Sequence, residues 1–304
     1  MRISTQQLYE GGAARINESQ SALYKTQQQV ATGRRLLAPS DDPVAAARAL
    51  EVRQSQAINS QHASNRVQAK NVLGMVEGTL AGVTDLLVQV KTAVITAGNP
   101  LNSDTERGLI AVELKGRFEA ILGLANTRDT QGNYMFSGFE SDTPAFAESV
   151  TGATYQGDAG QRLVQVDANR KMAINSTGQA VFQGGGVDVF DAIKDLIAVL
   201  ETPVATPADA AALAAGLATA GADLDRALDN VLGVRASLGT RLQELDALDS
   251  AGTDRGVQYS AMLSEIEDLD YAKALTQLSQ QQTTLEAAQA SFVKISSLSL
   301  FNYI

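Results

Sequence analysis

Residues 73–94 read LGMVEGTLAGVTDLLVQVKTAV, and this stretch decides how the chain folds. Its apolar side chains form two interleaved series with seven-residue spacing: Leu73, Leu80, Leu87 and Val94, then Val76, Val83 and Val90. Side chains at this spacing line one stripe of an α-helix and form the seam of a coiled coil. The sequence therefore predicts a long helix that packs along its length against other helices.

The six prolines, at positions 39, 43, 100, 144, 203 and 207, indicate how far the helices extend. Because proline breaks a helix interior, the proline-free stretches 44–99 and 208–304 can form long helices. The segment Ser40-Asp41-Asp42-Pro43 offers N-cap side chains and a proline for the first helical position. Apolar residues at helical spacing predict a third helix from Asp104 to Asn126.

Three further segments carry the seven-residue spacing. The series are Ile16, Leu23, Val30 and Leu37; Leu217, Leu224, Val231, Leu238 and Leu245; and Leu278, Leu285 and Phe292, followed by Ile295 and Leu298. Since seams occur near both chain ends, we expect the two ends to pack in one body.

The stripes at the two ends are narrow and lie on faces rich in Gln, Ser and Thr. An isolated helix of this kind is marginal in water, so each stripe needs the other terminus or another subunit to cover it. We therefore expect an assembly interface, and its predicted residues are Ile16, Leu23, Val30, Leu278, Leu285, Phe292, Ile295 and Leu298.

The middle of the chain differs from both ends. From about Gly132 to Val189 the helical spacing is lost and glycines cluster, which is typical of short strands and turns. The predicted strands are Tyr134–Phe136, Leu163–Val166 and Met172–Ile174, with turns at 156–158 and 184–186. Because this insertion contributes no seam, we expect assembly to tolerate its replacement between residues 140 and 185.

The predicted fold is mainly α, a long-helix bundle or coiled-coil core built from both chain ends, with a small β-rich inserted domain. We expect a terminal helical domain from 1–38 and 270–304, and a helical core domain from 39–131 and 204–269. The β-rich outer insertion domain is expected at 132–203.

Composition excludes several classes of function. The net charge of −10 disfavours nucleic-acid binding, which needs clustered Lys and Arg. The absence of cysteine removes thiolate chemistry, and the single His62, on a polar stretch, is predicted to be a solvated surface residue. Asp41 and Asp42 are better explained as helix caps than as a catalytic or metal pair. We therefore expect no enzymatic activity, no metal and no cofactor.

The sequence also argues against a membrane protein. No uninterrupted apolar run approaches the roughly 18 residues of a membrane span, so no membrane insertion is expected. The first residues have no apolar signal-peptide core, which by itself indicates the cytoplasm.

Several short motifs carry a resemblance to a known family. They are, in order, MRIST at 1–5, SQSAL at 19–23, ATGRR at 31–35, PSDDP at 39–43, GNYMFSG at 132–138, VRASLGTRL at 234–242 and QQQTTLEAAQASF at 280–292. Their order and spacing resemble the flagellin superfamily, and within it the subunits that join the flagellar hook to the filament.

That resemblance implies a secreted structural protein, located in the extracellular flagellum at the hook–filament junction. It implies passage through the flagellar type III export channel, and a ring of identical subunits between hook-associated protein 1 and flagellin. The terminal helices would form the inner tube, and a cytoplasmic export chaperone would bind the C-terminal helix before export.

Two alternatives remain. A short flagellin, the subunit of the filament itself, has the same helical plan, although flagellins typically end differently from the LSLFNYI at 298–304. A cytoplasmic scaffold or export regulator would remain in the cell fraction.

Overall fold

The structure, a computed structural model, describes the backbone of residues 5–297 and the side chains of residues 7 and 9–294. Its helices are α1 (Thr5–Thr32), α2 (Pro43–Ala97), α3 (Asp104–Ala125), α4 (Gly178–Phe182), α5 (Val189–Glu201), α6 (Pro207–Glu267) and α7 (Tyr271–Ser297). Its strands are β1 (Phe146–Glu148), β2 (Ala153–Tyr155), β3 (Leu163–Asp167) and β4 (Arg170–Ala173). The mainly helical fold predicted from the sequence is confirmed.

The chain divides into two compact units. Residues up to Asn59 and those from Asp254 onward form one unit, which contains α1, α7 and the adjoining ends of α2 and α6. Residues Ser60–Thr253 form the other unit, and α2 and α6 each contribute to both.

The predicted seams form the core of the Ser60–Thr253 unit. Every residue of the two seven-residue series in α2, and of the series in α6, is at most 8% exposed: Leu73, Val76, Leu80, Val83, Leu87, Val90, Val94, Leu217, Leu224, Val231, Leu238 and Leu245. Helix α3 adds Leu114, Phe118 and Ile121 to the same core. Its start is a capping box in which Ser103 accepts from the Glu106 N–H and Glu106 accepts from the Ser103 N–H.

By length and composition alone, helix α2 is long and apolar enough to cross a membrane, with a mean hydropathy of 1.4 over 18 residues. This differs from the sequence expectation, which considered only uninterrupted apolar runs. A core helix of a soluble bundle passes the same test, and the seam of α2 is buried inside the protein. In that 18-residue window 39% of the residues are buried, so packing of the seam accounts for part of its apolar composition.

The middle segment is less regular than the sequence predicts. Strands β1 and β2 form one antiparallel pair, and β3 and β4 form another. The prediction of a strand at Tyr134–Phe136 is wrong, because only Tyr134 makes an isolated bridge, to Arg128, while Phe136 is buried in an aromatic cluster. Helices α4 and α5 lie within the segment predicted to be β-rich.

An aromatic cluster joins this middle segment to α3. Phe146 lies 5.4 Å from Phe182 and 4.8 Å from Phe190, measured between ring centroids. Phe190 also packs edge to face on Phe118 of α3, at 5.8 Å. The segment therefore shares one core with the long helices.

Polar contacts fix the β3–β4 hairpin on the helices. Arg66 of α2 is 1% exposed, and it donates to the Val166 carbonyl at 3.1 Å and to the Asp249 carboxylate at 3.0 Å. His62 lies beside the hairpin, with Nδ1 3.9 Å from Asp167 Oδ1 and a side chain only 12% exposed. The prediction of a solvated surface histidine is therefore wrong, because β3 covers this residue.

Candidate assembly interface

Helices α1 and α7 pack against each other in antiparallel orientation. The ring of Phe292 lies against Gly12, where a Cβ atom would come within 2.7 Å of the ring. At the other end, the Tyr271 hydroxyl lies 2.8 Å from the position of a Cβ on Gly33. In each of these two contacts the residue numbers add up to 304, and the contacts lie three heptads apart. The same register therefore holds between α1 and α7 from one contact to the other.

This register places large side chains of one helix opposite small ones of the other. Ile16, Leu23 and Val30 of α1 recur every seven residues, and so do Gly12, Ser19, Thr26 and Gly33 between them. In the register, the small series faces Phe292, Leu285, Leu278 and Tyr271, while the large series faces Ala288, Gln281 and Ala274. Thr26 and Ala274 are 3% and 5% exposed, as expected for positions beneath a large neighbour.

One position of this seam carries a polar side chain with a buried oxygen that accepts no hydrogen bond from the described residues. Gln281 lies opposite Leu23, and its Oε1 is buried without a hydrogen-bond partner among the described residues. A buried acceptor in this state costs stability.

The two chain connections next to the seam are joined by backbone hydrogen bonds. The Leu269 N–H donates to the Gly33 carbonyl at 3.0 Å, and the Arg35 N–H donates to the Glu267 carbonyl at 2.7 Å. Gly33 has a φ of +68°, a conformation that side chains with a Cβ adopt rarely. These bonds hold the end of α1 beside the start of α7 and thereby fix the register.

The carboxylates of Asp41 and Asp42, just before α2, accept hydrogen bonds from backbone N–H groups at two places in the chain. Asp42 accepts from the Ala45 N–H at 3.0 Å and so caps α2, while Asp41 accepts from the Leu37 and Ala38 N–H groups and pairs with Lys25 at 2.6 Å. The ion pair with Lys25 lowers the pKa of Asp41, and the backbone N–H of Ala45 lowers the pKa of Asp42. The interpretation as a helix cap is confirmed for Asp42. For Asp41 it is wrong, because this carboxylate accepts from backbone N–H groups of the turn before α2 and not from a helix start.

Most of the predicted interface residues come together in this seam. Ile16, Leu23, Val30, Leu278, Leu285 and Phe292 are all half-buried along it. The side chain of Ile295 and the whole of Leu298 lie outside the described residues. Sequence reasoning missed the small residues opposite them, although the seven-residue spacing of Gly12, Ser19, Thr26 and Gly33 was a visible signal.

No catalytic or metal centre is apparent in the described part of the chain. Among those residues, no three His, Asp or Glu side chains come together in an arrangement that could hold a metal ion. The candidate site is the α1–α7 seam, built from helices near both ends of the chain.

Known proteins resemble the chain over its whole length. Residues 3–141 match the family described as the bacterial flagellin N-terminal helical region. The flagellar hook-associated protein 3 of Escherichia coli is 36% identical over 99% of both chains, and that of Salmonella typhimurium is 35% identical over the same share. These relatives are structural proteins of the flagellum.

Two solved structures share the fold of the chain. A flagellar hook-associated protein from Vibrio parahaemolyticus has a TM-score of 0.68 and 28% identity, covering 75% of this chain and all of its own. The flagellar junction protein from Legionella pneumophila, at 21% identity, shares the fold with a TM-score of 0.64, covering 73% of this chain and all of its own.

Proposed function

Because the chain belongs to the flagellar hook-associated protein 3 family, we propose that it is a structural adaptor at the junction between the flagellar hook and the filament. The observation that carries this proposal is the α1–α7 pair, in which both chain ends meet in one seam. In this role the protein binds its neighbours through packed helices and catalyses no reaction.

The six half-buried seam residues support an interface with other subunits. Packing of α1 on α7 covers only part of each of these side chains, so apolar surface remains for contacts in an assembly. Each such contact is weak, but contacts repeated around a ring add up to a stable junction.

The partners we propose are further copies of the chain in a ring, hook-associated protein 1 on the hook side and flagellin on the filament side. The proposed location is outside the cell, after passage through the flagellar export channel. A chain with no cysteine suits such a route, because no disulfide has to be reduced or formed along it.

Deletion of the gene tests this function. We expect cells that still build hooks but release flagellin into the medium, and the intact gene should restore filaments. Immunogold labelling separates the adaptor from a short flagellin: label confined to the hook–filament boundary supports the adaptor, and label along the filament contradicts it.

Before export, we propose that a cytoplasmic chaperone covers the large seam residues of α7. In the folded chain Leu285 and Phe292 face α1, so the chaperone would occupy the same stripe before α1 does, by binding a helix in a groove. Changing Leu285 and Phe292 to Ser should weaken chaperone binding at least a hundredfold if each is a buried anchor worth about 2 kcal/mol. Leu275→Ser, at an exposed position of the same helix, is the control; calorimetry that finds equal affinities for all forms contradicts the proposal.

A further inference from the structure

The two flanks of the α1–α7 pair differ in chemistry. In an antiparallel coiled coil, the residues that directly follow seam residues in the sequence lie on one side of the pair for both helices. The residues that directly precede seam residues lie on the other side. We call the first the tyrosine flank; its members with large apolar or ionisable side chains are Glu10, Tyr24, Leu275, Glu286 and Val293. We call the second the lysine flank; its charged members are Arg15, Glu18, Lys25, Lys273 and Lys294.

The tyrosine flank exposes large apolar side chains. Tyr24 is 63% exposed, Leu275 is 52% exposed and Val293 is 64% exposed. It carries two acidic side chains and no basic one over Thr5–Thr32 and Tyr271–Ser297, whereas all four basic side chains of these helices lie on the lysine flank. The flanks are therefore opposite in charge.

The lysine flank contains a groove of about 510 Å³. Helix α1 lines it with Ala22, Lys25, Thr26 and Gln29, and helix α7 lines it with Lys273, Ala274, Gln277 and Gln281. Of these residues, Thr26, Ala274 and Gln281 are seam positions at the base of the groove, and the others all belong to the lysine flank, in agreement with the register. Glu265, Asp268 and Asp270 balance the basic groups Lys25, Arg35 and Lys273 at this end, so the groove itself is close to neutral.

Complementary parts of the tyrosine flank and the lysine flank lie at the same level along the axes of α1 and α7. In the register, Leu275 lies beside α1 residue 29, close to Tyr24, and the groove spans α1 residues 22–29. Lys294 of the lysine flank lies beside α1 residue 10, which is Glu10 of the tyrosine flank, whereas Glu286 lies at the level of Glu18. A second α1–α7 pair placed beside the first, with no shift along the helix axes, therefore brings apolar side chains to the groove and an acidic side chain to a basic one.

We propose that the tyrosine flank of one copy docks on the lysine flank of the next, with Tyr24 and Leu275 entering the groove. The occupant is a second copy of this chain, because the two surfaces complement each other in charge and in position. Such a contact joins two different surfaces, so its repetition closes into a ring when the rotation between neighbours divides a full turn, and continues as an open helix when it does not. This inference rests on the proposed function and adds which surfaces meet.

Paired cysteine variants test the contact, because the chain has no cysteine of its own. Tyr24→Cys and a size-tagged Gln277→Cys form are expressed together, and flagella are isolated and mildly oxidised. We expect the mixed dimer to predominate over both dimers of a single variant. In the control, Gln28→Cys replaces Tyr24→Cys, and it should link poorly because Gln28 faces away from both flanks.

The outcomes separate the contact from the proposed function. Dominant Tyr24→Cys homodimers, or no link in flagella that contain the chain, would overturn the flank contact and leave the adaptor role intact. Absence of the unmodified chain from isolated flagella would contradict both.

A charge exchange gives a second, independent measurement. Glu10→Lys should lower incorporation into flagella severalfold, and adding Lys294→Glu should restore most of it, while circular dichroism confirms that each form is helical. Failure of the second change to restore incorporation by a correctly folded chain would overturn the proposed pairing of flanks.

Discussion

At the scale of single residues, Gln281 is a polar side chain in an apolar seam, with a buried Oε1 that has no partner among the described residues. Gln281→Leu replaces it with an apolar side chain of similar size opposite Leu23. We expect the α1–α7 pair to become more stable by about 1–2 kcal/mol, since an unsatisfied buried acceptor is removed. Limited proteolysis of the two terminal helices measures the change, and slower cleavage is the expected result.

Gln280→Leu is the matched control for that variant, because Gln280 is exposed and lies outside the seam. Equal protection in both variants would mean that the gain comes from helix propensity rather than from the seam.

Asp42 should make the stability of the helix start depend on pH. Its pKa is lowered in the folded chain, chiefly by the Ala45 N–H, so the carboxylate stabilises the fold above its ordinary pKa of 3.8, and this contribution is lost as the pH falls through the lower folded value. Asp42→Ala should therefore lower the Tm most at neutral pH and least in acid. Asp42→Asn keeps the cap without a charge, and it should stay close to the unmodified chain at pH 7.

Thermal unfolding followed by circular dichroism, repeated from pH 7 to about pH 3, distinguishes these variants. A Tm difference for Asp42→Ala that stays constant over this range would show that ionisation of Asp42 plays no part.

At the scale of helices, the close approach of α1 and α7 depends on small residues. A Cβ on Gly12 would meet the Phe292 ring at 2.7 Å, whereas a Cβ on the neighbouring Gly11 would meet nothing within 4 Å. Both Gly→Ala changes raise helix propensity by up to about 1 kcal/mol, but only Gly12→Ala crowds the seam, at a cost of about 1–3 kcal/mol. We expect Gly11→Ala to protect the terminal helices from protease and Gly12→Ala to expose them.

A second change at the same contact supports this explanation. Adding Phe292→Ala to Gly12→Ala should remove the clash, so the two substitutions should be non-additive. Strict additivity would show that Gly12 and Phe292 do not share a contact.

The long seams were predictable from sequence because burial repeats over many heptads. Leu73, Leu224 and Leu238 follow a spacing that few other structures produce, and each is at most 1% exposed. Strands of three residues, such as β1 and β2, are too short for a period to show. Helix α5 was missed because it is short and follows the glycine run at 184–186, a stronger local signal for a turn.

The seam of the candidate interface was predicted from its large residues alone. That reasoning left open whether each stripe meets the other terminus or another subunit. The answer depends on register, which Gly33, Arg35 and Glu267 fix through backbone contacts between residues that are distant in sequence. A pattern within one helix contains no information about such contacts.

At the scale of the whole molecule, the middle segment forms part of the core. Replacing residues 140–185 with a short Gly/Ser turn removes Phe146 and Phe182, which both pack on Phe190 in the aromatic cluster. It also removes the Val166 carbonyl that accepts from the buried Arg66. The expectation that this segment is dispensable does not fit that packing.

We expect the shortened chain to lose several kcal/mol of stability, since each deleted core Phe is worth about 3–5 kcal/mol. Chemical denaturation measures the loss, and Val150→Ser, at a side chain that is 98% exposed, is the control that should unfold like the unmodified chain. Unchanged stability of the shortened chain would show that the segment folds independently.

The seam joins two helices, α1 and α7, that a ribosome makes far apart in time. About 240 residues separate Thr32 from Tyr271, so α1 cannot pair with α7 until that stretch and α7 itself have been synthesised. A chain that ends early keeps Ile16, Leu23 and Val30 uncovered, whatever the state of its other helices. Uncovered terminal helices are preferred sites for proteases, so purified chains that end before α7 should be cleaved within α1 faster than chains that include it.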